Sequence, residues 1–148
     1  MSQRKYIINL LQDTGMLNCA HMPTPMVHST NISVDQGTKL NDEDSTSYRR
    51  LIGCLIYLTN TRPNISFSVN KLSQFVSAPT TNHQRPTLRI LIYLKSALGS
   101  GIFFHNDNFI QLKAYSDLDW ATCHETRKST TGFSVYIGNS LISWKSKK

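Results

Sequence analysis

Cysteine is scarce in this chain: Cys19, Cys54 and Cys123 are odd in number and form no CxxC pair. That argues against a disulfide framework or a zinc framework and leaves ordinary buried or surface thiols. His21, His28, His83, His105 and His124 are scattered, with no HxxxH or His–Cys metal spacing, so they read as surface or structural residues. GxSxG is absent, and Ser116 beside Asp117 is no hydrolase elbow. Walker and GxGxxG phosphate loops are absent too. The longest apolar run, near Leu51–Leu58, is too short to span a bilayer, so no membrane partner is expected. Arg4-Lys5 is not followed by a continuous apolar stretch, which leaves no secretory signal and points to an intracellular chain, cytoplasmic or nuclear.

Acidic residues are the other shortage. Nine Asp and Glu face sixteen Lys and Arg, for a formal charge of +7. Such a balance points to a polyanionic partner, because each neutralised phosphate releases condensed counterions. Arg49 and Arg50 open one expected helix, and Arg85, Arg89 and Lys95 lie along another. Arg127, Lys128, Lys145, Lys147 and Lys148 gather near the C-terminal end and are the candidate nucleic-acid-binding set. The plainer reading is a set of solubilising side chains.

What is present is enough for a core. The 148 residues are 39% hydrophobic, room for one compact domain or two small ones. Gln3–Thr14 carries Ile7, Leu10 and Leu11 at helical spacing, with Gly15 as a stop. The stretch 18–42 holds prolines, serines and threonines without periodicity and reads as a loop. Asp44 or Ser45 is placed to cap a helix to about Asn60, with Tyr48, Leu51, Ile52, Leu55 and Leu58 inward. After Arg62-Pro63, a third helix from Asn64 to about Ser77 shows Val69, Leu72 and Val76 as its stripe. A fourth, from about Pro86 to Ala97, carries Leu88, Leu91, Ile92 and Leu94.

From Phe109 to Asp119 apolar and polar residues alternate, the mark of a half-buried strand. Asp117 and Asp119 then share one face, roughly 6.5–7 Å apart. Nucleases use such carboxylate clusters to hold magnesium ions. DxD is short and common, so by spacing alone two solvated aspartates at a strand end are the favoured reading. Strands at 129–137 and 141–145, joined through Gly138-Asn139, complete an expected antiparallel meander. Leu112, Leu118, Trp120, Phe133, Val135 and Ile142 are its candidate core positions. Ile102–Phe104 and Phe109–Leu112 suggest a further hairpin across 106–108.

The strings AYSDLDW (Ala114–Trp120), TRKSTTGF (Thr126–Phe133) and ISWKSKK (Ile142–Lys148) resemble the opening of the ribonuclease H domain in copia-type retrotransposon Pol polyproteins. SQRKYIINLLQDTG (Ser2–Gly15), TPM (Thr24–Met26), YRRLIGCLIYLTNTRPNI (Tyr48–Ile65) and RILIYLK (Arg89–Lys95) resemble the segment before it, in the family's order. The resemblance implies an α+β chain. A small helical bundle over 1–100, like the end of a reverse transcriptase (thumb or connection), would hold the loop at 18–42. A truncated three-stranded meander over 101–148 would resemble the first half of the ribonuclease H fold. It implies Asp117 as the first ribonuclease H carboxylate and as an incomplete metal site, with Asp119 accessory. The implied cofactor is Mg²⁺, weakly held or absent in this chain.

The implied role is reverse transcription and cleavage of RNA in RNA–DNA hybrids. Implied partners are such a hybrid, bound weakly and salt-dependently, and the remainder of the Pol polyprotein. The polymerase YxDD string is missing and the later carboxylates would follow Lys148, so the chain is expected to be inactive alone. The alternative is a non-catalytic module binding nucleic acid or protein. Gln84, Pro86 and Thr122 depart from the family's usual tryptophan, small residue and glycine; proline inside a helix costs about 3 kcal/mol.

Overall fold

The computed structural model describes residues 1–27, 32–33, 36–106, 110–121 and 127–148. Along the chain come α1 (Arg4–Asp13), α2 (Asp42–Leu58), a 3₁₀ turn (Pro63–Ile65) running into α3 (Ser66–Ser73), and α4 (Thr81–Ser96). Strands β1 (Leu112–Asp119), β2 (Thr130–Ile137) and β3 (Ser140–Lys147) follow. The chain is α+β, with four α-helices and one three-stranded antiparallel sheet among the described residues. Ser2–Ser100 forms one compact unit; Gly101–Lys148, together with Met1, forms another.

In the helical unit each helix buries one stripe. Ile7 and Leu11 of α1, Ile52, Leu55 and Leu58 of α2, Leu72 of α3, and Ile90, Leu91 and Leu94 of α4 are all buried in one cluster. Full burial of such a side chain contributes about 1.5–3 kcal/mol. Gly15 ends α1 at a φ of +69°, a left-handed conformation that costs glycine nothing. The expected caps need correcting. The Asn41 side chain accepts from the Asp44 N–H at 2.7 Å, so α2 begins at Asp42, and Asp42, Glu43 and Asp44 face the positive end of its dipole.

α4 also starts earlier than the sequence suggests. Thr80 and His83 form a capping box, in which the Thr80 N–H donates to His83 Nδ1 at 2.9 Å. The helix opens at Thr81, and Pro86 lies inside it. α3 is shorter than expected, ending at Ser73.

The loop between α1 and α2 is tied down by the helices it crosses. Arg89 donates to the Thr24 carbonyl at 3.1 Å and to Thr24 Oγ1 at 2.9 Å. Lys95 donates to the Cys19 carbonyl. A β-bridge joins Lys39 to Thr80, and the Thr80 hydroxyl donates to the Gln36 carbonyl at 2.8 Å. Cys19 and Cys54 are free thiols, while Cys123 lies outside the described residues.

The sheet has the order β1-β2-β3. Two residues join β2 to β3, and the first, Gly138, takes a φ of +58°. Glycine at that position suits the tight turns whose twist matches paired strands. The register between β2 and β3 shifts at Val135/Tyr136, where Ile142 is passed over.

Two expectations fail in this unit. Residues 101–106 hold no strand, so the hairpin from Ile102–Phe104 does not form; positions 107–109 lie outside the described residues. The candidate core is also not a core. Leu112, Leu118, Trp120, Phe133 and Ile142 are exposed, Trp120 by 82%, and Val135 is half-buried. The physical reason is that the unit holds no helix among its described residues, and a sheet face stays wet unless another layer lies on it.

Candidate carboxylate site and basic surface

Residue alternation and the ladder register settle which side chains share a face. Asp117 pairs with Gly132, which pairs with Ser146; Asp119 pairs with Thr130; Tyr115 pairs with Ser134, which pairs with Trp144. These residues occupy one face. Gly132 presents no side chain, so the face beside Asp117 is open. A Cβ built there would meet the Lys145 carbonyl oxygen at 3.8 Å, ordinary contact, so close approach does not force the glycine. Asp117 and Asp119 are both exposed. Asp117 Oδ1 accepts from the Leu118 backbone N–H at 3.0 Å.

The basic candidates are not gathered around these carboxylates. Lys145 pairs with Phe133 and Lys147 with Thr131, whose partners on β1 are Ser116 and Leu118. Lys145 and Lys147 therefore project from the face opposite Asp117. Arg127 and Lys128 are exposed ahead of β2, and Arg127 holds a left-handed φ of +52°. Lys148 follows the end of β3. Lys113 stands on the Asp117 face, paired with Tyr136.

A magnesium site of the kind the resemblance implies needs several converging oxygen ligands. Among the described residues no three His, Cys, Asp or Glu side chains converge to hold a metal. The donor set among the described residues does not fit a complete two-ion site.

The helical unit absorbs charge in ways the sequence hides. Arg49 Nε donates to the Val76 carbonyl at 2.8 Å, three residues past the end of α3. Arg62 is 1% exposed, donates to the Ala97 carbonyl at the end of α4, and leaves Nε and Nη1 without a partner. Burial lowers its pKa from the ordinary arginine value. The Tyr48 hydroxyl donates to the Leu72 carbonyl at 2.8 Å, and burial pushes its pKa up to about 12. Tyr6 rises to about 12 as well, through a hydrogen bond with Cys54 first and burial second.

His83 was one of five undistinguished histidines in the sequence. It is fully buried, stacks on Phe75 at 4.1 Å, and bonds at 3.2 Å through Nε2 with the Ser33 carbonyl. The Thr80-x-x-His83 spacing was the available signal, a capping box with histidine in place of glutamate.

An α+β chain with an aspartate pair on an exposed strand face is a broad class, and sequence relationships narrow it. No family model matches the chain, and no solved structure matches it. Over all 148 residues it is 47% identical to the retrovirus-related Pol polyprotein from transposon RE1 of Arabidopsis thaliana, and 44% identical to that from transposon RE2 of the same plant. It is 38% identical over 148 residues to an uncharacterized mitochondrial protein of Arabidopsis thaliana, of which it covers 60%. The chain belongs to the copia-type retrovirus-related Pol polyproteins of transposons. It spans 10% of the length of the RE1 and RE2 polyproteins.

Proposed function

We propose that this chain is the segment of a retrotransposon Pol polyprotein that leads from the end of the reverse transcriptase into the start of ribonuclease H. In this reading the helical unit is thumb- or connection-like, and the β1-β2-β3 meander is the first half of a ribonuclease H fold. Asp117 is the first carboxylate of the nuclease site, and Asp119 is an accessory group. The role of the whole protein is reverse transcription and cleavage of the RNA strand in RNA–DNA hybrids.

One observation carries the reading: Asp117 is exposed on the first strand of an antiparallel meander, with glycine opposite it on the same face. A substrate phosphate or a hydrated cation can approach a carboxylate so placed. The chain alone is inactive, because YxDD is absent from it and two carboxylates leave a magnesium ion mostly hydrated and weakly held. Its nucleic-acid partner is such a hybrid, bound through phosphate contacts.

The test is direct assay of the purified chain. No cleavage of a labelled hybrid and no primer extension is expected with magnesium or manganese. Reproducible cleavage that disappears in Asp117→Asn would overturn the claim that the site is incomplete.

A further inference from the structure

Three basic side chains of α4 reach the loop between α1 and α2, in an order that runs against the chain. Lys95 donates to the Cys19 carbonyl, Arg89 to the Thr24 carbonyl at 3.1 Å, and His83 meets the Ser33 carbonyl at 3.2 Å through Nε2. Lysine and arginine are already protonated at neutral pH, whereas an imidazole gains its proton just below it. One of the three ties is therefore titratable.

The partners of His83 fix where its proton sits. The Thr80 backbone N–H can only donate, and it points at Nδ1 from 2.9 Å. Nδ1 must carry a lone pair, so the ring is neutral and Nε2 donates to the Ser33 carbonyl. The Thr80 hydroxyl lies 3.1 Å from Nδ1 and gives its own proton to the Gln36 carbonyl at 2.8 Å. A proton on Nδ1 could turn to that hydroxyl oxygen, but it would then face the Thr80 N–H donor to donor. The stacked face of Phe75 would attract a cation. Against it stand full burial of the ring and its place in the first turn of α4, at the positive end of the helix dipole.

The same ring anchors a stitched segment. The Thr81 N–H donates to the Thr38 carbonyl at 2.9 Å, the Thr38 N–H to Thr81 Oγ1 at 3.2 Å, and the Leu40 N–H to the Pro79 carbonyl at 3.1 Å. Leu40 belongs to the buried core. Each of these bonds ends within four residues of His83.

We propose that His83 is a proton-operated latch: protonation at Nδ1 releases residues 36–40 from the start of α4 and leaves the rest of the helical unit folded. Charged or titratable residues on the elements meeting at His83 are Lys39 in the loop, Asp42–Asp44 and Tyr48 on α2, Lys71 on α3 and Arg85 on α4; Asp35 lies outside the described residues. Whatever their combined field, the donor facing Nδ1 is a backbone N–H, which does not titrate. A solvated imidazole takes its proton near pH 6.5. The closed latch excludes that proton and the open one binds it. The latch is therefore held above about pH 6.5, and its opening equilibrium rises by up to about tenfold per pH unit below that.

The test is amide hydrogen exchange of the full chain between pH 8 and pH 5, corrected for the intrinsic effect of pH. Protection of the Leu40, Thr80 and Thr81 amides should fall together, about tenfold or more by pH 5, while amides in the middle of α2 keep theirs. His83→Gln preserves the capping box, since glutamine also accepts from the N-cap N–H, and it has no proton to gain; its protection should not vary with pH. Ring ¹⁵N shifts of the unaltered chain give a second readout that needs no variant. They should show a bare Nδ1 at pH 8 and a titration whose midpoint coincides with the loss of protection. A protonated Nδ1 at pH 8, protection that does not fall with acid, a fall that persists in His83→Gln, or midpoints that differ would overturn the inference.

Discussion

Gly132 stands directly opposite Asp117 in the β1–β2 ladder, so the aspartate face has a gap where a neighbouring strand would normally place a side chain. Asp117 keeps its exposure, and its carboxylate accepts from the next residue's N–H, at 3.0 Å. The arrangement holds a carboxylate in place while leaving it accessible. Among the described residues no further acidic groups join it to make a metal centre.

Tyr48 links α2 to α3 through its bond to the Leu72 carbonyl. Tyr48→Phe removes that bond while the Leu72 carbonyl keeps the Phe75 N–H at 3.2 Å, and should cost about 0.5–1.5 kcal/mol in urea unfolding. The folded pKa, about 12, lies above the ordinary value of 10.0. The folded state therefore holds the proton more tightly, and this stabilisation is present below pH 10 and is lost as pH rises through 12. Tyr6 shifts in the same direction. Tyr48→Phe should remove part of the alkaline decline, and an unchanged decline would show that Tyr48 does not titrate in this way.

Pro86 sits inside α4, past the first turn, where a residue with an N–H would donate to the Asn82 carbonyl. Pro86→Ala should raise the unfolding free energy by about 1–3 kcal/mol. A loss of stability would mean that the half-buried ring contributes more through packing than it costs in the helix.

The helices were legible because each apolar stripe repeats every three or four residues. Tyr48, Ile52, Leu55 and Leu58 read inward from spacing and are buried. Their starts were less legible, since Asn41 caps α2 and the histidine of the α4 capping box carries no strong helix-start signal. Strand alternation placed Asp117 and Asp119 on one face, but not Gly132 beside Asp117, because register depends on the connection between β1 and β2. Exposure of Leu112 and Trp120 was illegible for a different reason. An apolar stripe says what prefers cover, while cover depends on elements elsewhere. Part of the basic surplus has structural work that the sequence hides: Arg49, Arg89 and Lys95 donate to backbone carbonyls that no spacing rule connects to them.

Binding to hybrid or duplex should therefore rest on the sheet unit. Affinity is expected to be micromolar or weaker and to fall steeply with salt. Alanine at Arg127, Lys128 and Lys145 together should weaken it and reduce the salt slope by roughly 2–3, at about 0.9 per lost phosphate contact. Alanine at Arg89 should leave the slope unchanged and loosen the α1–α2 loop instead. Filter binding at several salt concentrations separates the two outcomes.

The role of Asp117 is tested most directly by grafting this chain in place of its 148-residue counterpart in the RE1 polyprotein and assaying hybrid cleavage. The grafted protein is expected to cleave the RNA strand, and Asp117→Asn within the graft should abolish cleavage while leaving hybrid binding intact. A graft that cleaves equally well with asparagine at that position would contradict the account.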